Sequence, residues 1–224
     1  MLTLIPQPDG TRARGVTPAV LALLESLIER FEPRRAELLA RRGASAAGAG
    51  SGPATRAIRE RSWRVPAATR GRRPVEVVGV ATQPRDWCEV EWSLTADGAP
   101  ISATLFDAGL SLDRDLAPAV ERGLRVHLVL PPVECRREAA LWRSILHHCE
   151  VECGVPTGSV TVTAVIDKPR AYHELDEILY ELGPFAGALA CQVADSALHA
   201  RAALVAQRRG APLEHERVIA ELVA

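Results

Sequence analysis

The chain predicts an α/β fold: an incomplete or abbreviated TIM-type (β/α) barrel with an N-terminal helical clasp. Three observations carry this. From about residue 75 onward, short β-branched runs alternate with amphipathic stretches, the pattern of parallel βαβ units. The segment Gly158 to Leu182 reads as a buried strand, a carboxylate (Asp167) at its C-terminal end, then an amphipathic helix. That strand end is where α/β barrels place catalytic and metal-binding groups. Finally, the count comes to roughly five or six strands, where a closed barrel uses eight and usually about 250 residues. With 224 residues, the chain has no room for a clasp, a linker and a complete barrel of usual size.

The elements follow in order. Thr17-Pro18 opens a helix, with Thr as N-cap and Pro at the first helical position. Val20, Leu23, Leu24, Leu27, Ile28 and Phe31 recur at helical spacing, and Pro33 is expected to bend or restart the helix before Arg42. Residues 1–42 make up this N-terminal helical unit. Gly43 to Pro53 is Gly, Ala and Ser in composition and predicts a flexible linker, placed at 43–55; residues 56–224 form the partial barrel. Arg73 to Val80 is the expected first barrel strand. Trp87–Leu94 and Ile101–Leu105 make an extended pair turning at Asp97-Gly98, a strong hairpin signal. A helix over Phe106–Gly123 precedes a strand, Arg125–Leu130, which Pro131-Pro132 stops. Glu134–Cys149 is a helix with Ala139, Leu141, Trp142, Ile145 and Leu146 inward. The strand at 159–166 leads to a helix at 171–182, striped by Leu175, Ile178, Leu179 and Leu182. A strand at 188–194 ends at Asp195, a helix at 197–209 stops at Gly210, and a short terminal helix is expected over 213–223.

Composition excludes several functions. Net charge is −1, so bulk electrostatics give no case for nucleic-acid binding. No apolar run approaches the roughly 20 residues of a membrane span. The N-terminus lacks the pattern of a signal peptide, and a cytoplasmic location is expected. Five cysteines argue against a disulfide framework. His147-His148-Cys149 and Cys153 have no second Cys/His pair to complete a zinc site, so they read as the last turns of a helix. Cys88, Cys135 and Cys191 are expected to be small buried hydrophobes. The acids Glu174, Asp176, Glu177 and Glu181 read as a solvated helix face, and the pairs Arg34-Arg35 and Arg41-Arg42 as surface charge. Arg70 to Arg73 reads as a basic loop.

Leu175-Asp-Glu-Ile-Leu-Tyr-Glu-Leu182 resembles a helix of the malate synthase family, Met-Asp-Glu-Ile-Leu-Tyr-Glu-Leu, with one change. The resemblance extends in order, with gaps, from about Thr17 to about Pro212. Arg30-Phe-Glu-Pro-Arg-Arg35 is similar to the family's clasp, and Ile58-Arg-Glu-Arg-Ser-Trp63-Arg-Val to the segment leading into its barrel. Asp97-Gly-Ala-Pro100 with Leu105-Phe-Asp-Ala-Gly-Leu110 follows a further family segment, as does Leu130-Pro with Glu134 and Glu138-Ala-Ala-Leu-Trp142. The resemblance implies the family reaction, in which glyoxylate and acetyl-CoA condense to malate in the glyoxylate cycle. It implies magnesium (Mg2+) as a cofactor that polarises the glyoxylate carbonyl, an Arg that stabilises developing charge, and a carboxylate base.

Position by position, Asp167 stands where the family has a magnesium-binding Glu. It is one methylene shorter, so its oxygens lie about 1–1.5 Å further back. Asp195 stands at the second metal carboxylate, but the family's Gly-Arg-Trp before it is Gln192-Val-Ala194 here. The family's catalytic Arg is Gln83, which leaves Arg85 as the candidate catalytic charge. Lys168-Pro169 replaces Thr-Ile and adds a positive charge beside the implied ion. Each carboxylate also has a plainer reading, as a helix cap for the element that follows. The family's second barrel strand, between the counterparts of Val80 and Gln83, has no equivalent. Nor does its C-terminal domain, which supplies the base and part of the coenzyme A site. The expectation is therefore a malate synthase-like protein with weak or lost activity. The alternatives are a non-catalytic interaction protein, or a magnesium-dependent lyase acting on an acyl-CoA or 2-oxo acid. Open strand edges would favour a homo-oligomer.

Overall fold

The computed structural model describes residues 2–4, 16–42, 53–66, 83–192 and 195–214. The expected strand at 73–80, the basic loop at 70–73 and most of the linker lie outside the described residues. A helix, α1 (Pro18–Arg42), begins the chain's helical part, with Thr17 Oγ1 accepting from Val20 N. It runs through Pro33 without interruption. Its expected apolar stripe, from Val20 to Phe31, is buried against α3 (Ala103–Glu121) and α4 (Arg136–Glu152). α2 (Pro53–Glu60) follows, so the last three positions assigned to the linker begin a helix.

Two sheets are present. β1 (Leu2–Leu4), β2 (Val90–Ala96) and β3 (Ala99–Ser102) form an antiparallel sheet in that order. The hairpin turns at Asp97-Gly98 as expected, with φ of 51° and 83°. Positive φ at both central residues suits a turn whose twist matches the strands. The second sheet is parallel, in the order β4 (Val126–Leu130), β5 (Val160–Ile166), β6 (Ala186–Cys191), β7 (Leu213–Glu214). Sequential parallel strands with helices between them are barrel construction, and among the described residues this sheet has four strands and does not close. The terminal helix expected from residue 213 is corrected in part: Leu213 and Glu214 pair with Leu189 and Ala190 as a strand, and residues 215–224 lie outside the described residues.

Alternation along the strands separates two faces. Val126, Leu128, Leu130, Val160, Val162, Ala164 and Ile166 belong to the main core with Leu112, Trp142, Ile145 and Ile178. The other face carries a polar chain. His127 Nε2 lies 2.8 Å from Thr163 Oγ1, which donates to Glu214 Oε2 at 3.2 Å. Because the hydroxyl has one proton to give, Nε2 must be the donor to it.

The expected helix at 171–182 is two pieces, α5 (Pro169–Tyr172) and α6 (Leu175–Leu182), and α7 (Ser196–Arg209) ends at Gly210 in the left-handed region. The acids of α6 are not a solvated face. Glu174, Asp176 and Glu177 are 5%, 2% and 0% exposed, and each has a donor from another element. Glu174 Oε2 accepts from Arg136 N, Glu177 Oε1 pairs with Arg59, and Asp176 pairs with Arg208 and Arg209. Arg35 is likewise buried, bonding Glu32 and the Trp87 carbonyl, and only Arg34 of that pair is at the surface. Among the cysteines, Cys149 is buried and Cys153 caps α4 before Gly154. Cys191 is buried as expected, but Cys88 is exposed and Cys135 half-buried.

Candidate functional site

The C-terminal ends of β4, β5 and β6 lie side by side, since Leu130 pairs with Ala164 and Ile166 with Cys191. The loops leaving them are tied down. Val133 N donates to Val165 O at 2.9 Å, and Gln192 N to Ile166 O at 3.0 Å. Asp167 therefore follows directly from a strand end, and Asp195 follows three residues after Gln192 on the neighbouring strand. Both issue from the same end of the sheet.

Their side chains are differently engaged. Asp195 Oδ1 accepts from Ala197 N at 2.8 Å and Leu198 N at 3.2 Å, which is the N-cap of α7. Asp167 does not cap α5, whose N-terminal residue Lys168 makes no side-chain cap. Instead Asp167 Oδ2 lies 3.0 Å from Lys168 Nζ, while Oδ1 is buried with no partner among the described residues.

More charge gathers here than the sequence suggested. Glu134, in the loop after β4, lies 3.7 Å from Arg42 Nη1. Burial pushes its carboxyl above the ordinary range; Arg42 and Lys168 oppose that, and Glu138 and Asp167 add to it. Arg42 is expected at the surface from sequence, but its side chain is 16% exposed. It holds Glu138 through Nε at 2.9 Å and Nη2 at 3.2 Å, and Asp86 at 3.4 Å. A single Arg at a helix end carries no sign of this, because the three acids come from sequence-distant segments: Asp86 and Glu134 in loops, and Glu138 in the first turn of α4.

Arg85 lies in the segment before β2. Its Nε and Nη2 donate to Asp107 at 2.9 and 2.8 Å, and Nη2 also reaches Glu91 at 2.6 Å. Asp107 accepts from the Arg85 backbone N as well, at 2.9 Å, and Thr104 Oγ1 donates to the carbonyls of Arg85 and Asp86. The carboxylates hold this guanidinium even more firmly protonated than usual. The arrangement pins the 83–89 segment to α3.

Residues 80–201 match the family model for the malate synthase TIM barrel domain, more than half of the chain. The chain belongs to the malate synthase TIM-barrel family. Among curated relatives, the malate synthase of Myxococcus xanthus (strain DK1622) is 36% identical over 109 residues, which is 49% of this chain and 20% of that protein. The malate synthase of Streptomyces clavuligerus is 33% identical over 115 residues, 51% of this chain and 21% of that protein. The glyoxysomal malate synthase of Gossypium hirsutum is 31% identical over 119 residues, with 52% and 21% covered. The chain thus spans about a fifth of the length of the curated relatives it matches.

Family membership implies Mg2+, and the residues can be tested for it. The unpartnered Asp167 Oδ1 suits a cation. Against it, Asp195 is engaged as a cap, the Lys168 ammonium already neutralises Asp167, and no group of three His, Cys, Asp or Glu among the described residues is placed to hold a metal. Mg2+ favours near-octahedral oxygen coordination at about 2.0–2.1 Å and is repelled by a neighbouring ammonium. These residues as arranged do not fit the ion. No helix among the described residues is long and apolar enough to cross a membrane.

Proposed function

We propose that this chain is a malate synthase relative whose strand-end site does not support the condensation of glyoxylate with acetyl-CoA at an enzymatic rate. The observation that carries this reading is the reassignment of the two carboxylates. Asp195 holds the first turn of α7, and Asp167 is paired with Lys168. A carbonyl-polarising ion would have to share both carboxylates with these partners and sit beside the Lys168 ammonium.

The charge-stabilising role is also left without an occupant. Gln83 is a neutral amide where the resemblance implies an Arg. Arg85, the nearest candidate, has its guanidinium held by Asp107 and Glu91. Asp107 and Glu91 take its Nε and Nη2 and offset its charge, which leaves Nη1 alone to face an oxyanion. One preorganised donor of this kind is commonly worth about 2.7–4 kcal/mol of transition-state stabilisation. Glyoxylate and acetyl-CoA remain the substrates to test, because the family suggests them.

The test is release of free thiol from acetyl-CoA by purified chain, with and without glyoxylate, in excess Mg2+. The expected result is no glyoxylate-dependent release above the blank. Turnover near 1 s⁻¹ that disappears in Asp167→Ala would overturn the proposal, since Asp167 would then have a productive role despite its pairing with Lys168.

A further inference from the structure

A groove of about 710 Å³ lies away from the strand-end site, between α2, α6 and α7. Its lining includes Arg59, Arg201, Arg208, Asp176, Leu204 and Val205. Three guanidinium groups face one acid there, so the lining carries a net positive charge. The arginines are held in place rather than free. Arg59 is fixed by Glu177 at 2.7 Å and the His173 carbonyl at 2.6 Å, and Arg208 by Asp176 at 2.5 Å. Arg201 donates its Nε to the Tyr172 carbonyl at 2.6 Å, and no carboxylate among the described residues pairs with it. That bond leaves the terminal nitrogens of Arg201 as donors on an anchored stem. Asp176 cannot neutralise the groove, because it is already shared between Arg208 and the buried Arg209.

Beside these charges is apolar surface. Leu204 is 67% exposed, the most exposed large hydrophobic residue among those described. It lies three residues after Arg201 and four before Arg208, so the helix repeat sets all three on one side of α7. Fixed cationic forks beside an open apolar side chain suit a ligand with an anionic head and a short apolar body. Guanidinium forks match phosphate and carboxylate geometry, with phosphate offering more acceptor oxygens and charge.

We propose that this groove binds a small soluble organic anion of the phosphate monoester class, its head on Arg201 and Arg208 and its apolar part on Leu204. The proposal is independent of whether the strand-end site is active.

Hexyl phosphate is the probe, titrated calorimetrically into the full chain. Inorganic phosphate and hexan-1-ol serve as half-probes, and vesicles containing phosphatidic acid stand for a lipid source. Hexyl phosphate should bind more tightly than either half-probe and more weakly as salt is raised. Arg201→Gln should weaken it roughly tenfold, and Leu204→Ser should weaken it by a smaller factor without altering inorganic phosphate binding. Leu204 is exposed and Arg201 half-buried, and an unchanged circular dichroism melt confirms that each variant folds. Equal affinity in Arg201→Gln and the parent, or no preference for hexyl phosphate over inorganic phosphate, would overturn the site. Capture on phosphatidic acid vesicles without binding of the soluble probe would overturn it too, because the surface would then read a membrane.

Discussion

Arg209 is 2% exposed and carries a full charge into the protein. It is tolerated because every direction of its guanidinium is used. Nε meets Asp176 Oδ1 at 2.7 Å, Nη1 meets the Arg61 carbonyl at 3.0 Å, and Nη2 meets those of Ile58 and Arg59 at 3.3 and 2.9 Å. Those carbonyls belong to the end of α2, which lacks helical donors there, so a cation satisfies both their hydrogen bonding and the helix dipole. The Trp63 ring, 4.2 Å from Arg209 Cζ, covers one face. Removing the cation would leave the buried Asp176 with only the half-exposed Arg208 and would take the donor from three carbonyls at the end of α2. Arg209→Ala should therefore cost about 3–5 kcal/mol in urea unfolding, the usual penalty for breaking a buried pair. Arg208→Ala should cost about 1 kcal/mol or less, since that side chain is half exposed. Equal costs would mean that the buried pair is not what holds α2. At this scale the sequence shows caps and inward apolar side chains, as at Thr17 and Leu141, but not which charges pair. Asp176 and Glu177 were assigned to solvent because sequence displays charge and helical spacing but not the partner, and the partners lie on α7 and α2. Arg42 and Arg35 were misassigned for the same reason.

Elements were more legible than residues. Periodicity located α1, the hairpin, α4, β5 and α7 because each has a strong local pattern with capping or turn chemistry at its ends. Asp195 was readable as a cap from its place before α7, and the structure has it accepting two backbone N–H groups. Asp195→Ala should cost about 1 kcal/mol, and Asp195→Ser should recover most of that. A Ser variant as unstable as Ala would point to a different role for the carboxylate. What periodicity could not see was the pairing between elements. The register of β5 against β6 slips between Val162 and Thr163, opposite Gly187. A Cβ at Gly187 would lie 2.5 Å from Thr161 Oγ1 and 2.9 Å from the Val162 carbonyl oxygen. Backbone cannot move aside as a flexible side chain can, so Gly187→Ala should destabilise the sheet by about 1–3 kcal/mol. A thermal melt unchanged within error would show that the strands separate more easily than their packing indicates.

At the scale of the whole molecule, the hairpin sheet and parallel sheet are joined through helices, and the parallel sheet carries the His127, Thr163 and Glu214 chain on the face opposite the main core. That chain gives the fold a pH response. Burial holds the His127 imidazole below its ordinary value of 6.5, because charging it means giving up hydration. The neutral form is the one the fold favours. Between the folded and unfolded values the unfolded chain binds more protons, so stability rises with pH there. The His127 contribution is thus complete above pH 6.5 and is lost as pH falls through the folded value. Glu214, reached through Thr163, works the other way. Burial raises it above 4.5, so its contribution is complete below that value and declines as pH rises through the folded one. His148 is also depressed by burial, with Ser26 Oγ 2.7 Å away and Glu152 and Arg30 nearby, and adds to the His127 slope. Parent and variant share the Glu214 and His148 contributions, so their difference isolates His127. His127→Gln keeps a donor for Thr163 and cannot charge. Urea midpoints measured at about pH 7.5 and about pH 5 should fall less on acidification in His127→Gln than in the parent. An equal fall in both would show that His127 is hydrated on protonation without disturbing the sheet, and that the acid response arises elsewhere.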